Sequence, residues 1–471
     1  MNRSFLVIAS ALVLIGNANL SFAQDLNAPS SISSQELLPA STKAWLSIPD
    51  AKNLDKKFLE TQIGQLCQEE EFAPFIESVK GQFRQWMSDK NVRLGLNLED
   101  VQDIRSGEIC LAGILPAENG AANKNAKPLG KGVHGVVLLV DVNENIAAAN
   151  ELMKQLGENL IARGASKEPY EDLYDAKVSK WKFPQKGRLK KPRFAYQAIV
   201  GGWLLSSDNE SIFRRIARRL SNIDGLDAGQ TLAAQKSFQR VLKKTATEEI
   251  EPQVQWYINP FGYFQLAQAI AAEDREFKQT NSDDWAGVLK KIGFDGFQGV
   301  GGNISFATGD HEILHKTYVY KPAADDNNVK QQQVFGLFDF ENNKQSPLTP
   351  PKFVSSAVSS FFTGTWNMQL ALENVGHAID TFARSEGMFE EVLESLKLDL
   401  NVDVPTVVSK FDNEFFVLSD TEMPIQEDSE RLVIAVKHKV DSEYIIKNIK
   451  KSWPGQFRET EFKAFKIVEI D

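Results

Sequence analysis

The stretch at residues 94–114, LGLNLEDVQDIRSGEICLAGI, returns in altered form at 398–419 as LDLNVDVPTVVSKFDNEFFVLS. A fainter version, IGFDGFQGVGGNISF, lies between them at 292–306. Internal similarity on this scale implies related supersecondary units, which constrains the fold more than any bulk property does. In the first version Asn97 can accept hydrogen bonds from the open N–H groups of a short helix, with Glu99 and Asp100 near its positive end. Asn401 and Asp403 can do the same in the last. Each outer version follows an amphipathic helix: Ile76, Val79, Phe83 and Trp86 step by three and four, as do Phe389, Val392, Leu393 and Leu396. Each is followed by a short strand (108–111 or 414–418) and then by an apolar strand, 136–140 or 432–436. Both of those lead to a cap (Asn143, Asp441) and a helix, 145–161 and 442–451.

Three strands also look like openings of units: 44–48 with its Pro49-Asp50 turn, VQWYINP at 254–260, and VSSFFTGTW ending at Trp366. The chain therefore reads as three related modules, 38–224, 225–333 and 334–471, after a signal at 1–23 and a loose segment at 24–37. In the first module an alternating strand is expected around Tyr174, Ala176 and Val178. FAYQAIVGGWLLSSD is a hairpin with Gly201-Gly202 at its turn, and Asp208 caps the helix that follows. Strands set outside tight βαβ spacing, with hairpins, favour an α+β fold: repeated strand–helix units with mainly antiparallel sheets flanked by amphipathic helices.

Residues 1–23 have the form of a secretory signal: Arg3, an apolar core at 5–15, and Ser21-Phe22-Ala23 as a small-x-small cleavage site. No later segment is long and apolar enough to span a bilayer. The expected address is exported, periplasmic or secreted, with no transmembrane segment once the signal is removed. The net charge of −10 argues against nucleic acid as a general partner. The chain's two cysteines, Cys67 and Cys110, could pair in an oxidising envelope or stay as two buried thiols.

Several residue patterns look like chemistry. His311-Glu312-Ile313-Leu314-His315 matches the H-E-x-x-H pattern of zinc peptidases, which works only on a helix. Its context, NISFATGDHEILHKTYVYKP, reads instead as strand, Gly-Asp turn, strand. On a strand, positions four apart lie about 13 Å from each other. That is too far for one zinc ion with ligands at ~2 Å, so no metal site is expected there. Residues 177–193, KVSKWKFPQKGRLKKPR, are basic with interleaved aromatics. Lys180, Trp181, Lys182, Lys186, Arg188, Lys190, Lys191 and Arg193 form the candidate surface for an anionic envelope component. Arg214, Arg215, Arg218 and Arg219 lie on one side of the next helix, where they could extend the patch or pair with acidic groups. Ser179 and Lys182 satisfy S-x-x-K without the companion elements of penicillin-binding enzymes. Gly299, Gly301 and Gly302 precede a strand and fit close backbone packing better than a phosphate cradle. These patterns call for no cofactor and assign no catalytic residue.

The opening LPASTKAWLSIPDAKNLDKKFLETQIGQL, followed by EFAPFIESVKGQF, resembles an uncharacterised bacterial exported family best represented in planctomycetes, a domain of unknown function. The resemblance is best over residues 38–113. It implies an envelope or secreted address and an α+β fold, and it carries over no activity and no site. The expected function is an exported, non-catalytic envelope binding or structural protein. The alternatives are a carrier of a lipid-like ligand and a zinc metallopeptidase acting through HEILH.

Overall fold

The computed structural model describes residues 32–89, 93–96, 99–115, 134–184, 192–221, 230–274, 287, 294–322 and, with short gaps, 350–470. It is a mixed α+β protein with antiparallel sheets and flanking helices. The chain divides into two compact units, Met1–Lys278 with Phe297–Pro322, and Gln279–Gly296 with Ala323–Asp471.

The first unit begins with α1 (Ser34–Leu37), β1 (Thr42–Ile48), α2 (Ala51–Leu59), α3 (Gln62–Leu66) and α4 (Ala73–Asp89). A 3-10 turn at Glu99–Val101 leads into β2 (Ile109–Ile114), β3 (Gly135–Asp141) and α5 (Ile146–Ala162). Then come β4 (Ser166–Glu168), β5 (Ser179–Lys182), β6 (Phe194–Val200), β7 (Trp203–Ser207) and α6 (Glu210–Leu220). The unit goes on through α7 (Lys236–Thr245), β8 (Val254–Ile258), α8 (Pro260–Asp274), β9 (Gly299–Phe306) and β10 (Ile313–Tyr320). All ten strands form one sheet in the order β10-β9-β8-β1-β2-β3-β7-β6-β5-β4. The boundary drawn at 224/225 falls within that sheet, because β8 hydrogen-bonds directly to β1.

Strand side chains alternate between faces, and both faces of this sheet are covered. On one, Trp45, Cys110, Val137, Leu139, Ala198 and Leu205 pack with Phe213 and Ile216 of α6 and Phe238 and Val241 of α7. On the other, Leu138, Val140 and Leu204 pack with Ala149 and Leu156 of α5, and Val254 and Phe306 with Leu54 and Phe58 of α2. Fully burying one side chain of this kind contributes about 1.5–3 kcal/mol. Helix α6 shows the cause plainly: Ile212, Phe213, Ile216 and Ala217 turn inward while its arginines lie outside the core. Its cap is Asn209, which accepts from the N–H groups of Ser211 and Ile212. Asp208, expected in that role, instead accepts from the Val136 N–H (2.7 Å) and pairs with Arg93 (3.1 Å).

The second unit contains β11 (Ser360–Thr365), α9 (Met368–Ala383), α10 (Met388–Asp399), α11 (Val404–Val408), β12 (Phe411–Thr421), β13 (Glu430–His438), β14 (Phe457–Phe462) and β15 (Phe465–Ile470). Its strands form two sheets, β11-β12-β13 and β14-β15. One succession occurs three times along the chain: a strand, helix, a short helical turn, and an antiparallel pair whose first member joins the opening strand. It gives β1-β2-β3, β8-β9-β10 and β11-β12-β13. The short helical turns at Glu99–Val101, Phe294–Gly296 and Val404–Val408 fall within residues 94–114, 292–306 and 398–419. Asp403 caps the last of them, accepting from the Thr406 N–H at 3.1 Å. Asn97 and Asn401 lie outside the described residues.

Local chemistry accounts for two further features. Gly201 and Gly202 have φ of 54° and 79°, the consecutive positive values a tight β6–β7 turn requires. A Cβ at Gly202 would also lie 1.8 Å from Asn143 Oδ1. Gly202→Ala is therefore expected to lower stability by about 1–3 kcal/mol. A urea unfolding midpoint equal to the parent's would show that the turn relaxes freely. The strand expected around Tyr174 is instead a turn: Tyr174 and Asp175 take φ of 52° and 61°, and Leu173 and Ala176 bridge across them.

Candidate functional site

The basic segment is built on the pairing of β5 with β6, where Lys180 lies opposite Tyr196, Trp181 opposite Ala195 and Lys182 opposite Phe194. Alternation sends neighbours on β5 to opposite faces. Trp181 turns into the core with Leu160, Ala165 and Ala195 and is 3% exposed. Its Nε1 donates to Gln197 Oε1 at 3.1 Å, and the Gln197 amide donates to the Leu94 carbonyl at 2.8 Å. Trp181 is therefore a packing residue, which corrects its place in the expected contact surface. Lys182 is exposed. Arg193 is half-buried, and its carbonyl accepts from the Phe183 N–H at 3.0 Å. Lys186, Arg188, Lys190 and Lys191 lie outside the described residues.

Lys180 points to the other face, over three rings. Its Nζ is 5.7 Å from the centroid of Tyr170, 4.9 Å from Phe194 and 5.8 Å from Tyr196. Ring faces attract a cation without neutralising it. Beside them, Glu210 accepts from Tyr170 Oη at 3.0 Å and Tyr196 Oη at 3.3 Å. Arg214 donates to Glu210 at 3.0 Å and to Glu171 at 2.7 Å, and its guanidinium lies over Tyr170. Burial and then the Glu210 carboxylate push the Tyr196 phenol up to about 12, and burial with the Glu210 bond raises Tyr170 further. Both phenols thus stay protonated and donate at neutral pH. Burial works against the Glu210 carboxylate, yet bonds from Arg214 and Tyr170 hold it below its ordinary value. Glu210 is spent on Arg214 and the phenols; Glu168 stands opposite Lys180 across the β4–β5 pair and accepts from the Ser166 hydroxyl at 3.2 Å, and among the described residues Lys180 forms no ion pair with an acid.

Three of the four arginines of α6 are engaged within the unit rather than extending the patch. Arg214 is paired as above, Arg215 bonds Gln230 Oε1 at 2.9 Å, and Arg219 donates to the carbonyls of Leu37 (2.7 Å) and Gln230 (3.1 Å). They fasten the segments around α1 to the body of the unit. The partners Tyr170, Glu171 and Glu210 were not read from the sequence. The available signals were Phe194 and Tyr196 two apart on a strand, hence on one face, and Glu210 four residues before Arg214 on a helix.

The H-E-x-x-H letters fall on a turn and a strand. β10 begins at Ile313, and His315 Nε2 lies 3.0 Å from the hydroxyl of Thr317 on its own strand. Glu312 accepts from the Gln62 N–H at 2.6 Å, placing its charge at the N-terminus of α3. Only helical spacing brings both histidines to one metal, so His311, Glu312 and His315 do not form the peptidase site. Among the described residues no group of three or more His, Cys, Asp or Glu could hold a metal ion. Gly301 and Gly302 lie on β9 between β8 and β10, where added Cβ atoms would meet Trp256 O at 2.4 Å and Lys316 O at 2.0 Å, so close strand approach is their reason. Cys67 and Cys110 are separate thiols, not a disulfide. Cys110 is buried against one face of the sheet, and Cys67 packs with Leu54, Phe58 and Phe306 on the other. Among the described residues no helix is long and apolar enough to cross a membrane.

Comparison with known proteins finds no matching family model, no similar curated protein and no similar solved structure.

Proposed function

We propose that this is an exported, non-catalytic binding protein of the cell envelope, and that the β5–β6 hairpin takes an anionic envelope component. The observation that carries the reading is Lys180, a cation held on three ring faces beside a Glu210 carboxylate that is committed to Arg214 and the phenols. Among the described residues Lys180 forms no ion pair, and it lies at the root of a hairpin whose intervening sequence, PQKGRLKKP, holds only basic charge. The platform of Tyr170, Phe194 and Tyr196 is anchored to α6 through Glu210, so the hairpin root is rigid before any ligand arrives. The signal-like residues 1–23 and the resemblance of the opening to an exported family support the address.

The test is co-sedimentation of the mature chain with vesicles containing phosphatidylglycerol, against vesicles of phosphatidylcholine alone. Each basic side chain near an anionic surface is worth about 1 kcal/mol. Deleting residues 186–191 removes Lys186, Arg188, Lys190 and Lys191 and should weaken binding at low salt by about 1,000-fold, four such contributions together. Binding of the parent should also fall as salt rises. Equal binding of the deleted and parent chains would sink the proposal.

A further inference from the structure

The outer edge of β13 carries an exposed apolar run. Strand β13 pairs with β12 on one side. Leu432, Val433 and Ile434 are 62%, 54% and 65% exposed, so apolar side chains stand open on both faces of the strand. A long apolar edge is a template for another strand, and proteins ordinarily blunt or cover it. The far end of the first unit's sheet shows the blunted form: β4 is three residues long and reads Ser-Lys-Glu. In the same unit as β13, β14 and β15 pair only with each other among the described residues. An isolated two-stranded hairpin is marginal in water.

The first unit shows how such an edge is covered. After β3 the chain runs through helix α5 and later forms the hairpin β6–β7, and β7 lies antiparallel against the outer edge of β3. The second unit repeats that succession after β13. Residues Glu443, Tyr444, Ile446, Lys447 and Lys450 are helical, and the hairpin β14–β15 follows.

We propose that the outer edge of β13 is the seat of the chain's own β15. Seated there antiparallel, β15 completes a five-stranded sheet β11-β12-β13-β15-β14, the order of β1-β2-β3-β7-β6. Strand directions agree: β14 becomes parallel to β13 across the helix, as β6 is to β3. A register with Arg431 opposite Glu469 also sets Leu432 opposite Val468 and Val433 opposite Ile467, matching charge to charge and apolar to apolar.

The experiment uses the full mature chain with Cys67→Ser, since Cys110 is fully buried. Val433→Cys with Ile467→Cys should close a disulfide within one chain under mild oxidation. Thr460→Cys with Ile467→Cys, already register partners in the hairpin, serves as the control. A cross-link in the control pair alone overturns the proposal. A disulfide-linked dimer through 433 and 467 overturns it as well, because the seat then takes the strand of a second copy. Hydrogen exchange on the unsubstituted chain gives an independent reading should the variants misfold. With β15 seated, every amide of 431–437 exchanges slowly. If alternate amides exchange at the rate of an unstructured peptide, the edge is open and the proposal fails.

Discussion

Replacing Arg105 with methionine is expected to lower stability by about 3 kcal/mol at pH 7 and by clearly less at pH 4.5. Arg105 and Asp55 are 9% and 7% exposed and form a direct ion pair between Nη2 and Oδ2. The other carboxylate oxygen, Oδ1, is buried without a hydrogen-bond partner. Burial pushes the Asp55 carboxyl up to about 6, Arg105 pulls it down, and Asp50 pushes it up. The folded-state value lies above the unfolded value of about 3.8, so the folded chain holds this proton more tightly. The group's contribution is therefore fully present below about pH 4 and is lost as pH rises through 6. Without Arg105 the carboxyl rises further. At pH 7 the variant must then bury an uncompensated charge or bind a proton, whereas at pH 4.5 Asp55 is already largely protonated. Urea denaturation at the two pH values reads the difference. Asp55→Asn combined with Arg105→Met should recover most of the loss at pH 7, since neither buried charge then remains. Equal losses for the single variant at both pH values would show that the pair's electrostatics do not govern the effect.

The parts of the fold legible in the sequence are those whose causes lie within a few residues. The Gly201-Gly202 turn, the strand at 254–258 and the turn-and-strand character of HEILHK follow from backbone preference and alternation. What the sequence could not show depends on residues far along the chain. Trp181 looks like an interfacial aromatic until Gln197 and the Leu94 carbonyl supply its polar partners. The arginines of α6 look like a basic face until the carbonyl of Leu37 and Gln230 claim two of them. A break at 224/225 follows from the repeated strand openings, but strand pairing is non-local, and β8 adds to β1 across some two hundred residues of chain. In the candidate site the charge was legible and the aromatic platform beneath Lys180 was not. Its rings come from β6 and from the connection between β4 and β5, and its carboxylate comes from α6.

Glu108→Ala is expected to unfasten the start of the ordered chain and expose a thiol that is otherwise inert. The Glu108 carboxylate accepts from the Ser34 N–H at 2.9 Å, from the Ser34 hydroxyl, and from the Ser47 hydroxyl at 2.5 Å. Trp45 Nε1 in turn donates to Ser34 Oγ at 3.0 Å, so one carboxylate organises the contact between α1 and strands β1 and β2. Cys110 lies beneath this contact with no exposure. Burial, and then the Glu108 charge, push its thiol well above the ordinary range, so it does not ionise near neutrality. Removing Glu108 leaves three donors unsatisfied, each costing about 1–3 kcal/mol when buried. Opening of residues 33–39 relieves that cost by letting water in, and it becomes the cheapest local excursion of the chain. The same substitution deletes the charge that raised the thiol. In a Cys67→Ser background, alkylation of Cys110 at pH 8 should therefore accelerate by about 100-fold, the equivalent of roughly 2.7 kcal/mol in the opening equilibrium. Glu108→Gln keeps an acceptor oxygen but no charge and should fall between the two. Labelling of Glu108→Ala as slow as the parent's would mean that α1 stays seated without its carboxylate, held by Arg219 on the Leu37 carbonyl and by the Leu232 N–H on the Leu38 carbonyl.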